Sequence, residues 1–200
     1  MNENIPRPLS TPSNILPIRS TLKSGFPILI TSVTPSSSIT RLNSLLNEII
    51  EDGNTYPHEF PLNVDEFRNY FLSHDAFVAV KDISNEDVWR DEHVLGMFYV
   101  KPNYPGRCSH ICNAGFVVPR KYRNNGVGKA MARAFIKIAP ALGYKASVFN
   151  LVFETNIGSI KIWRDLGFKE IGRIPKAGRL RDHEDLVDAL MFYYDFEQSQ

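Results

Sequence analysis

Cysteine is scarce in this chain: 200 residues hold two, Cys108 and Cys112. Two thiols that close together cannot staple a secreted scaffold, so the expected setting is a reduced intracellular compartment. Excess charge of either sign is also lacking, with 23 Lys and Arg against 22 Asp and Glu and a net charge of +1. Nucleic acid and anionic membranes call for a concentrated basic field, and neither is expected as a partner. No run reaches the roughly 18 apolar residues of a membrane span, and the N-terminus lacks a signal-peptide core. Cytoplasmic placement follows, with the nucleus as a further possibility. Arg7, Arg19 and Lys23 among hydroxyl residues hint at a mitochondrial presequence, but Glu3 and scattered prolines weigh against it. With 43% hydrophobic residues, a chain of this length buries roughly 70% of its unfolded surface and needs no structural metal.

Residues 1–25 carry Pro6, Pro8, Pro12 and Pro17 among Ser, Thr and Asn, without sustained apolar periodicity, and read as a loose arm. Residues 26–200 read as one domain. Apolar, β-rich runs mark strands at 26–33, 76–80, 94–100, 111–118, 146–153, 168–174 and 186–196. Ile39, Leu42, Leu46 and Ile49 recur at helical spacing up to Gly53. Asn63 and Glu66 form a capping-box start for a second helix with Val64, Phe67 and Phe71. A third opens at Gly126 and shows one face of Val127, Ala130, Met131, Ala134, Phe135 and Ile138; a fourth spans 156–166 before Gly167. The expectation is an α/β fold with a mixed sheet of about seven strands and four helices.

The segment 117–129 runs from a strand through a glycine turn into a helix N-terminus, where free amides and the helix dipole favour an anion. It is not a mononucleotide P-loop: Arg123 stands where the first glycine belongs and Ala130 where Ser or Thr belongs. Nor is it a dinucleotide fingerprint, because Met131 occupies the third small position. What remains is Arg123-Asn124-Asn125-Gly126-Val127-Gly128, followed downstream by Asn156-x-x-Ser159-x-x-x-Trp163-x-x-x-Gly167-Phe168.

These two motifs in register resemble the GCN5-related N-acetyltransferases (GNAT), which hold acetyl-coenzyme A. Further segments resemble the yeast L-azetidine-2-carboxylate (proline-analogue) N-acetyltransferases within that superfamily: Lys101-Pro-Asn-Tyr104, Arg107-Cys-Ser-His110, Cys112-Asn-Ala-Gly-Phe116, Leu142-Gly-Tyr-Lys145 and Phe149-Asn-Leu-Val-Phe153. The likeness is dense over residues 94–180. It implies a GNAT fold and transfer of acetyl from acetyl-CoA, as cosubstrate and without a metal, to a small cyclic imino acid. It further implies detoxification of proline analogues, tolerance of oxidative stress and a homodimer. By the same resemblance Phe116, Val117 and Val118 meet pantetheine through the main chain, and Arg123, Asn124, Asn125, Gly126, Val127, Gly128 and Lys129 surround the pyrophosphate, with Asn156 alongside. Asn113 and Asn150 carry catalysis, and Asn113, Asn150 and Asn156 bind the imino acid.

Read from residue type alone, Asn113 and Asn150 equally suit amides satisfying local backbone, and Asn156 suits a helix cap. An asparagine amide orients groups but stores no proton, so direct attack by a neutral amine is expected, with water taking the proton. Trp163 replaces the tyrosine that many relatives use as acid. Ser159, Tyr193 or a water is then left to protonate the departing sulfur, or coenzyme A leaves as the thiolate. The other readings are an acetyltransferase for another small amine or a protein N-terminus, and a non-catalytic acyl-CoA sensor. Cys108-x-His110-x-Cys112 shares one face if extended, a weak metal reading because a fourth ligand is missing. His183 and Glu184 read as solvated loop residues, with the acceptor rim as the sharper alternative, and Glu154 as an exposed strand-end carboxylate.

Overall fold

A computed structural model describes residues 15–34, 37–82 and 90–197. An eight-stranded mixed sheet runs through it in the order β1-β2-β3-β4-β5-β6-β8-β7. The strands are β1 (Ile18–Thr21), β2 (Pro27–Ser32), β3 (Asp75–Lys81), β4 (Val94–Pro102), β5 (Ile111–Val117), β6 (Ala146–Phe153), β7 (Lys169–Gly178) and β8 (Val187–Asp195). The helices are α1 (Ile39–Asp52), α2 (Val64–Phe71), α3 (Val127–Ala141) and α4 (Ile157–Asp165).

The two faces of the sheet bury separate clusters. One, with α1 and α2, gathers Leu42, Leu46, Phe67, Phe71, Met97 and Val117. The other, with α3 and α4, gathers Phe98, Cys112, Met131, Phe135, Phe149 and Trp163. The apolar stripe expected on α3 is the one it buries: Val127, Ala130, Met131, Ala134, Phe135 and Ile138. Its Arg133 and Lys137 are exposed. The α2 cap also forms as expected, with Asn63 Oδ1 accepting from the Asp65 and Glu66 amides while the Asn63 amide donates to Glu66 at 2.8 Å. α1 ends at Gly53, whose φ of +70° is the left-handed geometry that favours glycine.

Two boundaries differ from expectation. The segment read as a loose arm carries β1, paired antiparallel with β2 from Ile18↔Ile30 to Thr21↔Pro27. Tertiary packing decides this, because Ile15, Leu16, Ile18 and Leu22 rest on the α3–α4 cluster. Residues 1–14 lie outside the described residues. The strand expected to stop at residue 174 continues as β7 through Pro175 to Gly178. Proline is tolerated there because β7 is the edge of the sheet, where a missing N–H breaks no ladder on the open side.

Candidate active site

The site begins where the one parallel pairing fails. β5 and β6 pair only at Ile111↔Ala146 and Cys112↔Ser147, then diverge. Beyond Cys112 the edge of β5 that faces β6 has no strand partner, while its other edge stays paired with β4 up to Met97↔Val117. Unpaired backbone groups on a strand edge are ready to pair with an extended ligand.

A cavity of about 840 Å³ opens on one side of this gap, lined among others by Phe116, Val118, Asn156, Ser159 and Trp163. Its floor is the glycine loop. Gly126, at φ +91°, precedes α3 with no side chain capping the helix, so the first-turn amides face the cavity mouth. Asn124 is also left-handed, at φ +64°. The loop is held by acids of α1: the Arg120 amide donates to Glu48 at 2.8 Å, and Arg120 and Arg123 both pair with Asp52. Burial tends to raise the Asp52 pKa, but hydrogen bonds from Arg123 and Arg120 more than offset this and hold it below the usual carboxylate range. Arg123 also reaches the Val118 carbonyl at 3.3 Å. Two of its five N–H donors thus fix the loop, while Arg123 itself lines the larger cavity. Lys129 is likewise paired, with Asp165 at 2.8 Å. Lys23, from the turn between β1 and β2, lines the same cavity and packs beside Gly126, and among the described residues it has no carboxylate partner. Nothing in the loop motif pointed to Lys23.

The second cavity, about 460 Å³, lies toward α1 and is lined by Tyr56, His58, Leu151, Phe153 and Gly178 among others. Asn113 and Asn150 line neither cavity; Asn113, one residue past the last β5–β6 pair, bonds locally, its Oδ1 accepting from the Ala114 amide at 2.8 Å. Asn150 forms a reciprocal amide pair with Asn103: Asn103 Nδ2 donates to Asn150 Oδ1 at 2.9 Å, and Asn150 Nδ2 donates back at 2.5 Å. Each amide has two donors and two acceptor positions. The pair therefore locks the orientation of Asn150 and leaves it one N–H and one lone pair to use elsewhere. Asn156 caps α4, accepting from the Ser159 amide at 3.2 Å, and lines the larger cavity.

Trp163 packs against Phe116, Phe149 and Phe168, with its Nε1–H donated to Ser159 Oγ at 2.8 Å. Ser159 Oγ, already an acceptor, keeps its own proton to donate. Tyr193 faces Val148 and Lys169 across β8 and lines neither cavity. His183 lines the larger cavity, and Glu184 lines neither. Glu154 is paired with Arg173 at 2.9 Å. The extended Cys108-x-His110-x-Cys112 arrangement does not form: Cys108 ends a 3-10 turn and is exposed, whereas Cys112 is buried in β5. Among the described residues no cluster of three His, Cys, Asp or Glu is placed to hold a metal. Burial pushes the Cys112 thiol well above its ordinary value, so it is no nucleophile at neutral pH.

Residues 42–168 match the acetyltransferase (GNAT) family. The chain belongs to that family. It is thus an acetyl-CoA-dependent N-acetyltransferase. It is 41% identical over 167 residues to N-acetyltransferase aca1 of Schizosaccharomyces pombe, covering 79% of this chain and 80% of that protein. Among solved structures it resembles a GCN5-related N-acetyltransferase from Kribbella flavida, with TM-score 0.74 and 28% identity over 84% of this chain and 97% of that one. A Salmonella typhimurium acetyltransferase solved with its cofactor acetyl-CoA shares the fold, with TM-score 0.68 and 14% identity, covering 88% and 95%.

Proposed function

We propose that this GNAT acetyltransferase acetylates the secondary amine of L-azetidine-2-carboxylate or a related proline-like imino acid. The observation that carries this reading is the placement of Asn113 and Asn150 just past the last β5–β6 pair, with Asn150 locked by Asn103. Two fixed amides beside a widening gap suit a small, rigid acceptor that needs orientation more than acid–base assistance.

The larger cavity fits acetyl-CoA on the chain's own terms. The partnerless β5 edge at Phe116 and Val117, with Val118 just beyond it, accommodates an extended pantetheine arm through the main chain, and a strand amide there is the oxyanion donor. Amides from Asn124, Asn125, Gly126, Val127, Gly128 and Lys129 receive the pyrophosphate beside the Arg123 and Lys129 side chains, with Lys23 adding a charge that no carboxylate pairs among the described residues. Acetyl-CoA supplies an activated thioester. The amine nitrogen forms the new bond to the acetyl carbon as the carbon–sulfur bond breaks, and water takes the amine proton. Ser159, its hydroxyl oxygen engaged by Trp163, donates toward the departing sulfur. Asn156 holds Ser159 in place through its amide.

The test is thiol release from acetyl-CoA with L-azetidine-2-carboxylate, beside L-proline, spermidine and no acceptor, in wild type and Asn113→Ala. Azetidine-dependent turnover that is lost in the variant is expected. Turnover with spermidine but not the imino acids would reassign the acceptor class. Saturable acetyl-CoA binding without any turnover would mark an acyl-CoA sensor.

A further inference from the structure

Lys101 stands on β4 directly across from Asn113. Opposed residues of an antiparallel pair share one face, with Cβ atoms about 4.5–5.5 Å apart. The Lys101 ammonium lies 4.5 Å from the ring centroids of both Tyr70 and Tyr99 and donates to the Tyr70 carbonyl at 3.4 Å. Those are its contacts; among the described residues it has no carboxylate partner. A cation drawn partly out of water without a counter-charge is costly, and two aromatic faces offset only part of that cost. Burial accordingly pulls the Lys101 pKa down.

The groups around it are polar and underused. Tyr56 Oη and His58 Nδ1 are buried with no hydrogen-bond partner among the described residues, and both residues line the smaller cavity. The His58 ring packs edge-on against Tyr70 at 4.5 Å, and the Tyr70 and Tyr99 hydroxyls lie 3.3 Å apart. β5 makes room by presenting Gly115, where a Cβ would lie 2.5 Å from Tyr56 Oη and equally close to the Tyr99 ring. One uncompensated ammonium, a phenol and an imidazole thus gather on the face shared with Asn113.

We infer, resting on the acceptor class proposed above, that Lys101 with Tyr56 and His58 forms an anion subsite that takes the acceptor's carboxylate. The carboxylate supplies the counter-charge that Lys101 lacks and accepts from the phenol and an imidazole N–H. Held there, a small ring turns its nitrogen toward Asn113 and the strand gap. The same ammonium repels a polycationic acceptor, so it selects by sign as well as by shape.

Cyclobutanecarboxylate, which carries the carboxylate on a four-membered ring but has no amine, probes this subsite without turnover. Titration calorimetry of the full chain saturated with coenzyme A is expected to show binding by wild type. Lys101→Met should weaken it at least about tenfold, as for loss of a charged hydrogen bond, and Lys101→Arg should stay within a few-fold. Coenzyme A affinity should be equal in all three, since Lys101 does not line the larger cavity. Lys101→Gln, which keeps a polar tip, repeats the comparison if the methionine variant does not fold. Equal probe binding by wild type and the Met or Gln variant, or no binding by wild type, overturns the subsite. Lys101-dependent probe binding without turnover of L-azetidine-2-carboxylate supports the subsite and overturns the imino-acid reading.

Discussion

The two sides of the strand gap are built in opposite ways. On the α3–α4 side the chain offers backbone: a partnerless strand edge and a helix N-terminus, while Arg120, Arg123 and Lys129 are tied to Asp52 and Asp165. On the α1–α2 side it offers side chains, with Tyr56, His58 and Lys101 left short of partners and Asn150 held by Asn103. On the proposed reading, a cosubstrate common to a whole family is met by geometry that many side chains tolerate, and the acceptor by groups whose identity matters. Substitutions should therefore behave differently on the two sides.

A matched pair of glycine replacements tests this most sharply. At Gly115 a new methyl would meet Tyr56 Oη and the Tyr99 ring at 2.5 Å, and both are wedged in the α1–α2 cluster. Gly115→Ala should cost about 1–3 kcal/mol, as overpacking does, seen as a lower denaturant midpoint. At Gly128 the methyl would lie 3.4 Å from Ile162 Cδ1, the far end of a side chain that can give way. Gly128→Ala adds helix propensity of about 0.5–1 kcal/mol and should leave stability unchanged or raised. Its cost should appear in KM for acetyl-CoA instead, because the methyl crowds a backbone that a phosphate must approach. Equal stability losses in the two variants would erase the contrast.

Asn103 is the next probe. Asn103→Ala removes both hydrogen bonds that fix the Asn150 amide, and kcat should fall about tenfold while KM for acetyl-CoA holds. Asn103→Asp still accepts from Asn150 but returns no donor, so it should fall between the two. If both variants match wild type in kcat, Asn150 needs no such support.

This division also explains what could be read from the sequence. The glycine loop and the α4 segment lie in contiguous stretches whose spacing reflects backbone conformation, so the larger cavity's floor and the helix that borders it were legible. All four helices and seven of the eight strands were readable from their own contiguous stretches. β1 did not, because four residues beside Pro17 are too short to show a pattern and become a strand only by packing. The acceptor face was legible only in part. Asn103 and Asn150 are 47 positions apart, and Tyr56, Tyr70 and Lys101 come from three separate segments. No spacing rule joins residues that only the sheet register brings together.

Lys23 carries a smaller effect and tests whether the larger cavity needs any free cation at all. It is exposed, so Lys23→Met should raise KM for acetyl-CoA only a few-fold, with the difference shrinking as salt rises. An effect that persists in high salt would point to packing against Gly126 rather than charge.

The smallest difference concerns pH. The His58 pKa is lowered, first by burial and then by Lys101. The unfolded chain, with a histidine pKa of about 6.5, then binds a proton that the fold resists. The His58 contribution to stability is full above that value and declines as pH falls from it toward the folded pKa. Asp52 is shifted in the same direction but over a lower window: its folded pKa lies below its unfolded value of about 3.9, so its contribution persists through the mildly acidic range and is lost only as pH falls below that value. Denaturant midpoints at pH 7.5 and about 5.5 should therefore drop less in His58→Gln than in wild type, while Asp52→Asn should lower the midpoint by the same amount at both. Lys101→Met should shrink the His58-dependent drop, since it removes the second cause of the shift. A drop that is unchanged in His58→Gln would place the pH sensitivity outside the acceptor face.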